Sequence, residues 1–426
     1  MDDFHYQRGV LHCESVDLPS LAVRFGSPLY IYSKKTLLDH YARFAEAFSP
    51  LKAEVCFSVK SCQNLSILRL LKEEGAAFDV VSGGELQRAL EVGADPSRIV
   101  FAGVGKTDAE IQRALEVGIG WFNVESEAEL ANVAHIASAS GRTARAALRV
   151  NPDVDPKTHV YTTTGKRETK FGVDLERARR VFSEFRDRKG LTLCGIHLHI
   201  GSPVNSIEPY VEAIGKGLTL IDGLRGDGHR IEAINIGGGF GAHYVGGEAP
   251  PASAYAARIV PLLRDRGLNV LLEPGRSIAA NAGVLLTRTL YTKASGDRQF
   301  IIVDAAITEL IRPALYGSFH FCWPVAPKDG KVPPDRRADL RLAGSQLVDI
   351  VGPVCESGDF LAKDRWLPPV SRDDLICIFS TGAYGFTMSS QYNSRPRAAE
   401  VLVDGSTAQM IRRREQYDDL VAAERF

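Results

Sequence analysis

Cysteine is scarce in this sequence and follows no pairing pattern. The 426 residues include seven cysteines, an odd number, and none of them stands in a Cys-x-x-Cys pair. This spacing indicates neither a disulfide framework nor a zinc knuckle, so we expect reduced thiols. The cysteines lie at positions 13, 56, 62, 194, 322, 355 and 377.

The sequence also lacks an excess of charge of either sign and any long apolar run. Its 51 lysines and arginines face 52 aspartates and glutamates, a net charge of -1, which argues against nucleic acid or a membrane surface as a partner. No stretch reaches the roughly 18 uninterrupted apolar residues of a membrane-spanning helix, and the N-terminus has no basic region before an apolar one. We therefore expect a cytoplasmic protein.

What is present, from about residue 50 to residue 276, is an alternation of short apolar runs with amphipathic stretches of helical spacing. Strand and helix repeated eight times predict an α/β fold with an eight-stranded parallel (β/α)8 barrel of the TIM type; a doubly wound open sheet is the alternative. The segment Gln-Arg-Ala-Leu-Glu-Val-Gly occurs at 87–93 and 112–118, one strand–helix unit apart. The predicted strands are 54–60, 77–82, 98–104, 121–126, 145–151, 193–201, 232–238 and 270–276, with helices such as 64–74, 84–92, 108–117 and 126–139 between them.

After residue 276 the pattern changes to extended apolar runs with few helical stretches, which predicts a mostly antiparallel β-domain, a β-barrel or sandwich. We place the barrel at 31–277 and assign 1–30 and 278–426 to the β-domain, which would carry substrate and dimer contacts. The short strand at 29–32 could belong to either domain. Residues 324–337, rich in proline and charge, predict an exposed loop.

Lys60 closes an apolar run that starts at Val55 and predicts a buried strand. An amine that is partly desolvated at the end of such a strand loses its proton more readily and can attack a carbonyl. Pyridoxal phosphate is the commonest aldehyde held in this way. A surface lysine at a strand end is the alternative, so the remaining residues have to decide.

Four glycines between Asn235 and Gly241 follow the seventh predicted strand. Successive N–H groups there could cradle a phosphate, although glycine clusters also form ordinary tight turns. The run does not form the dinucleotide fingerprint in the first strand–helix unit, which disfavours a nicotinamide cofactor. Arg276, at the end of the eighth strand, fits a phosphate or a carboxylate.

Glu273 stands in an apolar run of the eighth strand, where a carboxylate is costly unless it is paired. A pyridinium nitrogen would pair it and let the ring act as an electron sink, as decarboxylation or racemisation requires. Arg276 or another basic side chain is the alternative partner.

His197 and His199 fall on one face of the sixth predicted strand. A metal centre would need further histidines and a carboxylate at later strand ends, and the later histidines are not placed there. We therefore predict no metal; one ring would stack on a cofactor and the other would pack in the core.

The motifs at the predicted strand ends and in the second half resemble those of pyridoxal-phosphate decarboxylases with an alanine-racemase-like barrel, and among them the diaminopimelate decarboxylases. The resemblance covers nearly the whole chain. In the barrel it rests on Phe57-Ser58-Val59-Lys60, His199-Ile200-Gly201-Ser202, Gly237-Gly238-Gly239-Phe240 and Glu273-Pro274-Gly275-Arg276. In the second half it rests on Arg312-Pro313-Ala314-Leu315-Tyr316, Gly352 to Asp359, Tyr384 and Tyr392 to Arg397.

This resemblance implies pyridoxal 5'-phosphate as cofactor and a role for each matching residue. Lys60 would form the Schiff base, His199 would stack on the pyridine ring, Glu273 would bind its nitrogen and Asp79 would support Lys60. The phosphate and the rest of the cofactor would be bound by Ser202, Gly237, Gly238, Gly239, Pro274, Gly275, Arg276 and Tyr384. The substrate would be bound by Arg276, Arg312, Tyr316, Glu356 and Tyr384.

The resemblance also implies a homodimer with shared active sites, because Cys355 and Glu356 would come from the neighbouring subunit. Cys355 would be the acid that returns a proton to the substrate carbon. The loop 161–172 would match the family's mobile active-site loop.

The expected activity is decarboxylation of meso-2,6-diaminopimelate to L-lysine and CO2, with Arg312 and Glu356 recognising the distal carboxylate and ammonium. The sequence departs from the family pattern at Phe57-Ser58 and Ser61-Cys62, at Pro203 and at Ala305 to Glu309. These departures leave open a decarboxylase for ornithine, arginine, a polyamine precursor or a carrier-tethered substrate. A racemase and a non-catalytic cofactor-binding barrel are further alternatives.

Overall fold

The chain folds into two compact units. The barrel unit comprises Tyr41–Gly241 and Ala249–Ser277, and the β-unit comprises Met1–His40, Ala242–Glu248 and Ile278–Phe426. The structure is a computed structural model that describes residues 2–155, 170–245 and 249–426.

The β-unit opens with three short strands, a helix and a fourth strand. These are β1 (Phe4–Gln7), β2 (Val10–Cys13), β3 (Val16–Asp17), α1 (Leu18–Phe25) and β4 (Leu29–Ser33). The first three strands form an antiparallel sheet of their own. The helix α2 (Lys34–Ala47) follows.

Eight parallel strands then form a closed barrel. They are β5 (Glu54–Ser58), β6 (Ala77–Val80), β7 (Ile99–Phe101), β8 (Trp121–Val124), β9 (Ala144–Asn151), β11 (Leu191–His197), β12 (Ala233–Asn235) and β13 (Asn269–Leu272), with the short β10 (Val173–Asp174) beside β9. Each strand pairs with the next, and β13 pairs with β5. This closure confirms the predicted (β/α)8 barrel and excludes the open sheet.

Helices follow the strands, as the periodicity predicted. They are α3 (Leu65–Glu73), α4 (Gly83–Glu91), α5 (Asp108–Val117), α6 (Glu127–Ala139), α7 (Leu175–Glu184), α8 (Glu208–Gly226), α9 (Ala252–Leu263) and α10 (Arg276–Ala279). The repeated segment ends α4 and α5, which belong to consecutive strand–helix units. Side chains cap several of these helices; Thr107 and Glu110, for example, form a reciprocal capping box at α5. Among the described residues, no helix is both long and apolar enough to cross a membrane.

A layer of eight buried side chains fills the barrel, with one residue from each barrel strand. Most members are small, and Trp121 fills the space that they leave, with the Arg145 guanidinium 3.9 Å from its ring centroid. The layer consists of Cys56, Ala77, Val100, Trp121, Ala147, Cys194, Ala233 and Leu271. The barrel is therefore a packed core, and chemistry is confined to its ends.

The barrel strands end earlier than predicted. Lys60 lies in a 3-10 turn, Val59–Ser61, directly after β5, and Glu273 directly follows β13. The prediction that His197 and His199 share one strand is wrong, because β11 ends at His197. The ladder stops where the backbones separate into loops at the C-terminal mouth, so the polar residues stand at that mouth rather than within the strands.

The rest of the β-unit forms one mostly antiparallel sheet, as predicted. Its further elements are β14 (Gly283–Ser295), β15 (Arg298–Val303), α11 (Arg312–Tyr316), β16 (Cys322–Pro324), β17 (Gln346–Val351), β18 (Phe360–Leu367), β19 (Leu375–Ile378), β20 (Ala399–Asp404), β21 (Thr407–Arg412) and α12 (Tyr417–Val421). The sheet order is β18-β17-β15-β14-β4-β20-β21, with β19 joining β14 to β16. The pairs β15–β17 and β4–β20 are parallel. The strand whose membership was open, β4, therefore lies in this sheet.

The segment 324–337 contains no helix or strand beyond Pro324. It is nevertheless anchored, because Arg336 makes two contacts to the Asp2 carboxylate, at 2.5 and 2.9 Å, and donates to the Phe4 carbonyl at 2.7 Å. Its guanidinium also lies 4.1 Å from the Phe379 ring centroid. The segment thus fixes the N-terminal strands of the β-unit.

Candidate active site

Lys60 and Asp79 form an ion pair at the C-terminal mouth of the barrel. The Lys60 Nζ lies 2.6 Å from Asp79 Oδ2, and the two side chains are 33% and 0% exposed. Ser58 donates a hydrogen bond to the same carboxylate oxygen at 2.8 Å. Burial raises the pKa of Asp79, as does the negative charge of Glu273, while Lys60 opposes both. The amine is therefore held at the mouth by a buried carboxylate.

Glu273 is a buried carboxylate surrounded by hydrogen-bond donors. Asn123 and Asn235 donate their side-chain amides to Oε1 at 2.9 and 2.7 Å, and His197 Nε2 lies 3.4 Å from Oε2. Burial alone would raise the pKa of Glu273, but the charges of His197 and Lys60 outweigh it and hold that pKa below its ordinary value. The site thus keeps Glu273 negatively charged.

His199 stands in the loop after β11 as a neutral ring. Desolvation and the charge of Arg149 lower its pKa well below the ordinary value. The N–H of Gly238 donates to its Nδ1 at 3.3 Å, which leaves the ring proton on Nε2. A neutral imidazole is suited to stacking on an aromatic ring. His197, which we expected to pack in the core, is buried there and also contacts Glu273.

The glycine run after β12 brings three loops close together. A Cβ on Gly238 would clash with the Glu273 carbonyl oxygen, and one on Gly239 would clash with the Gly201 carbonyl oxygen. Gly237 donates its N–H to Asn235 Oδ1 at 2.9 Å, and the N–H of Gly238 is engaged with His199. Two of the three N–H groups are thus used within the protein, so the run serves close packing as well as any cradle.

The motif after β13 lies beside these loops. Arg276 is buried, and its Nε donates to Ser202 Oγ at 3.1 Å. The Pro274 carbonyl accepts the Ser58 N–H at 3.2 Å, and a Cβ on Gly275 would lie 2.9 Å from the Ser58 Cβ. The structure therefore gathers the barrel residues predicted for the cofactor at one mouth.

Three possible metal ligands lie close together at the barrel mouth. Ligand atoms of His197, His199 and Glu273 lie within 4.8 Å of one another, whereas the sequence disfavoured a metal because no further histidine is placed at a later strand end. The Nδ1 atom of His199 accepts the Gly238 N–H, and Glu273 Oε1 accepts two amides. The hydrogen bonds of these groups fit a site for an organic cofactor, and the absence of a metal stays a prediction.

In the β-unit, Arg312 is buried among aromatic rings. Its guanidinium carbon lies 5.4, 5.7 and 6.0 Å from the ring centroids of Tyr244, Tyr316 and Tyr384. His320 also holds the Arg312 guanidinium in place. The His320 Nδ1 lies 2.9 Å from the Phe379 carbonyl oxygen, so Nδ1 carries the proton and donates it to that carbonyl. The other ring nitrogen, Nε2, therefore accepts the Arg312 Nε–H at 3.4 Å. The arrangement presents a rigid, cationic fork that suits a carboxylate.

Tyr384 has a left-handed backbone conformation, with a φ of 57°. Aromatic residues rarely adopt this conformation, which costs of order 1–3 kcal/mol and is found mostly at functional sites. This backbone conformation determines the direction in which the Tyr384 side chain points.

Cys355 and Glu356 are both exposed in the single chain. The Cys355 N–H donates to Asn393 Oδ1 at 3.3 Å, and the Glu356 N–H donates to the Val354 carbonyl at 2.8 Å. Their side chains therefore belong to the surface of the β-unit. The other six cysteines are buried, and all seven are free thiols.

Most of the predicted mobile loop, 161–169, lies outside the described residues. Its end is anchored to a buried ion pair, Arg149–Glu125 at 3.0 Å. The Gly172 N–H donates to Glu125 Oε2 at 3.1 Å, and the Phe171 ring centroid lies 4.6 Å from the Arg149 guanidinium carbon.

The departure from the family pattern at Ala305 to Glu309 forms a turn in the β-unit. Glu309 is buried, and its Oε2 accepts the Ala306 N–H and the Thr308 hydroxyl, each at 2.8 Å. Burial raises the pKa of Glu309 to about 7. The carboxyl group therefore shapes the backbone of this turn.

Replacing Glu309 by glutamine should change how stability depends on pH. A raised carboxyl pKa means that the folded chain binds one more proton than the unfolded chain between the ordinary pKa of 4.5 and about 7, so native stability falls as pH rises through that window. Glutamine does not titrate. The difference in free energy of unfolding, variant minus native, should therefore increase by up to about 3 kcal/mol in favour of the Glu309→Gln variant from about pH 5 to about pH 8. Urea denaturation at both values tests this; a constant difference would contradict it.

Sequence reasoning missed several residues of the site. They are Asn123, Glu125, Arg149, Asn235, Tyr244 and His320. Asn123 and Asn235 lie near the ends of their strands, as Lys60 and Glu273 do, so strand-end position was the available signal. No motif singles out a lone asparagine.

Comparison with known proteins agrees with this geometry. Residues 34–280 match the pyridoxal-binding domain of the pyridoxal-dependent decarboxylases. The diaminopimelate decarboxylase of Pseudomonas aeruginosa is 45% identical over 424 residues, covering 100% of this chain and 99% of that protein. The enzyme of Vibrio cholerae is 44% identical over 426 residues, covering 100% and 99%.

Solved structures show the same relationship. Diaminopimelate decarboxylase from Helicobacter pylori, complexed with L-lysine, has a TM-score of 0.88 and 38% identity, covering 96% of this chain and 99% of that one. Since the likeness extends over both units at identities far above those that mark a shared fold alone, the chain belongs to the diaminopimelate decarboxylases of the pyridoxal-dependent decarboxylase family and is a carboxy-lyase that uses pyridoxal phosphate.

Proposed function

We propose that this protein removes the carboxylate from the D-configured centre of meso-2,6-diaminopimelate and releases L-lysine and CO2, the last step of lysine biosynthesis. The observation that carries the proposal is the joint placement of Lys60, Asp79 and Glu273 at one barrel mouth in a chain with full-length diaminopimelate decarboxylase relatives. The Helicobacter pylori relative complexed with L-lysine supports the product.

The residues at the mouth fit pyridoxal phosphate. Lys60 offers an amine for the aldehyde, Glu273 offers a buried anion for the pyridine nitrogen, and His199 offers a neutral ring. Arg276, with Ser202, offers donors for the phosphate, together with Gly239. When bound, this cofactor supplies an electron sink for the bond that breaks.

The chain's own residues would then hold charges and protons in place. Asp79 holds the Lys60 amine at 2.6 Å and can accept a proton from it. Glu273 stays charged and so favours a protonated ring nitrogen. We propose that Cys355 returns a proton to the substrate carbon, and that Tyr384, Gly237, Gly238, Pro274 and Gly275 complete the cofactor site.

Substrate choice would depend on Arg312, with Tyr316 and Glu356. One end of diaminopimelate reacts, and the other carries a carboxylate and an ammonium group that must be recognised. The buried Arg312 guanidinium, fixed by His320, supplies a cation for that carboxylate. An ornithine site would have no use for this arginine.

Replacing Arg312 by methionine should lower kcat/KM for diaminopimelate by about 30- to 5000-fold, since breaking a buried charge pair costs roughly 2–5 kcal/mol. D-Lysine lacks the distal carboxylate, so its kcat/KM should barely change. Arg341→Met is the matched control, because Arg341 also stacks on an aromatic ring, with its guanidinium 3.8 Å from the Trp366 centroid, but is exposed. Equal losses for both substrates would contradict the assigned role.

We further propose a homodimer in which Cys355 and Glu356 of the partner subunit complete each site. Both side chains are exposed in the single chain, which fits a role across an interface. Six buried free thiols fit a reducing compartment, and we propose the cytoplasm.

Mixing two inactive variants should test the shared site. Lys60→Ala and Cys355→Ala dimers should each be inactive. After subunit exchange, half of the dimers are mixed and carry one intact site, so activity should return to about a quarter of native. No recovery in dimers shown to have exchanged would contradict shared sites.

A substrate panel separates the proposed reaction from its alternatives. CO2 release and product chirality are measured with meso-diaminopimelate, ornithine, arginine and lysine. The proposal expects CO2 and L-lysine from diaminopimelate and far slower turnover of the others. If the protein preferred ornithine or arginine, it would be a different decarboxylase. Inversion of the substrate's configuration without CO2 release would indicate a racemase. Inactivity on every substrate would indicate a non-catalytic binding protein.

A further inference from the structure

The carboxylate of Glu273 is held by amides from two other barrel strands. Asn123, on β8, and Asn235, on β12, both donate to Oε1, at 2.9 and 2.7 Å. In the order of the closed barrel, β12 is the neighbour of β13 and β8 is four strands away, on the opposite side. Glu273 is therefore fixed from both sides of the barrel.

The side-chain amide of Asn235 and the backbone of Asn123 are themselves held by hydrogen bonds. Asn235 Oδ1 accepts the Gly237 N–H at 2.9 Å, which orients its amide toward Glu273. The backbone carbonyl of Asn123 accepts a hydrogen bond from the buried Lys106 Nζ at 2.7 Å, and Lys106 is paired with Glu129 at 2.7 Å. The Asn235 amide cannot turn away without losing the hydrogen bond from Gly237, and the backbone that carries the Asn123 amide is held in place by Lys106.

Two donors on one oxygen make the oxygens of Glu273 unequal. A carboxylate oxygen has about two lone-pair sites, so Oε1 is saturated by the two amides. Oε2 faces His197, whose Nε2 lies at 3.4 Å. Oε2 is therefore the oxygen available to a further donor. Because amides are neutral, they orient the carboxylate without cancelling its charge, as an arginine or lysine would.

We propose that Asn123 and Asn235 are positioning residues that direct Glu273 Oε2 toward the pyridine nitrogen of pyridoxal phosphate and preserve its negative charge for that contact. This inference rests on the proposed placement of the cofactor. The two asparagines would strengthen the contact at the pyridine nitrogen alone, and would not contribute to the binding of the rest of the cofactor.

The test compares pyridoxal phosphate with its 1-deaza analogue, in which carbon replaces the pyridine nitrogen while aldehyde and phosphate remain. The dissociation constant of each compound is measured with cofactor-free native protein, Asn123→Leu, Asn235→Leu and Asn132→Leu. Asn123→Leu is the cleaner variant, since Asn123 Oδ1 has no hydrogen-bond partner in the described part of the chain. Asn132→Leu is the matched control, because its amide donates to the Asp108 carboxylate at 2.8 Å on the barrel exterior.

The native protein and the control should prefer pyridoxal phosphate to the analogue. In both test variants that preference should fall about tenfold or more, the range for a hydrogen bond to a charged group. Analogue binding should change little. Circular dichroism checks the fold, and if Asn123→Leu does not fold, Asn123→Ala is measured in the same way.

An unchanged preference in the Asn123 variants would overturn the inference and leave the proposed decarboxylation intact. Equal loss of affinity for both compounds would also overturn it, since the asparagines would then act only on the fold of the pocket. If the native protein itself does not discriminate, the assignment of Glu273 to the pyridine nitrogen fails, and the inference fails with it.

Discussion

Replacement of Lys60 by alanine is expected to lower decarboxylation by at least about 10²–10⁴-fold, the contribution of a positioned acid–base group, with the loss of covalent attachment added to it. The amine lies 2.6 Å from the buried Asp79, which holds it at the mouth of the barrel. The absorbance band of lysine-bound pyridoxal phosphate should disappear with the activity. Both are measured on the purified variant after dialysis against the cofactor.

Lys52→Ala is the control for Lys60→Ala. Lys52 is exposed and precedes β5 at the end opposite Lys60, so its loss should leave activity and absorbance at the native level. A Lys60→Ala protein that kept the band, or turnover within tenfold of native, would refute the assigned chemistry.

Replacement of Glu273 by glutamine should lower kcat by roughly 10²–10³-fold, as observed when one preorganised electrostatic group is removed from an active site. Glutamine keeps the size of the side chain and can still accept from Asn123 and Asn235, so the fold should persist. It loses the charge that His197 and Lys60 maintain in the native protein. Without that charge a ring nitrogen is no longer held protonated, and the electron sink weakens.

The control for this variant is Glu54→Gln. Glu54 starts β5 at the opposite end of the barrel, where its Oε1 lies 2.7 Å from Arg98 Nε. Native turnover is expected there. Turnover of Glu273→Gln within tenfold of native would show that the reaction does not depend on a charged partner, whereas Glu273→Asp should retain an intermediate rate because it keeps the charge at a greater distance.

The barrel and its reactive end could be predicted because both depend on short stretches of sequence. Apolar runs such as that ending at Ser58 mark the strands, and in a parallel barrel the ends of all strands meet at one mouth. Lys60 and Glu273 were therefore predicted near one another although they are 213 positions apart in the chain. The extent of the strands was predicted less well, because the apolar pattern continues beyond the last ladder hydrogen bond.

The partners of Glu273 could not be predicted in the same way. Arg276 was the nearest candidate in sequence, but the described contacts of the Glu273 carboxylate are with Asn123, Asn235 and His197. A single asparagine within an apolar strand fits many structural roles, and 150 residues separate Asn123 from Glu273. Which polar side chains meet inside a barrel depends on its closure and register.

The β-unit shows the same limit. Its extended runs predicted an antiparallel domain, but not that β4, near the N-terminus, would pair with β14 and β20. The aromatic surroundings of Arg312 bring together Tyr244, Tyr316 and Tyr384, which are distant in sequence. Only folding of the β-unit places those three rings around one guanidinium.

The sequence by itself determined the parallel barrel, the second β-rich unit, the family and the lysine at the first strand end, because periodicity and local motifs are properties of short segments. Tertiary structure alone decided that Glu273 is held from both sides of the barrel, that His199 is neutral and that Arg312 is fixed by His320. Hydrogen bonds and pKa values depend on distances of a few ångströms between residues far apart in the chain, and those distances exist only after the strands have closed in register.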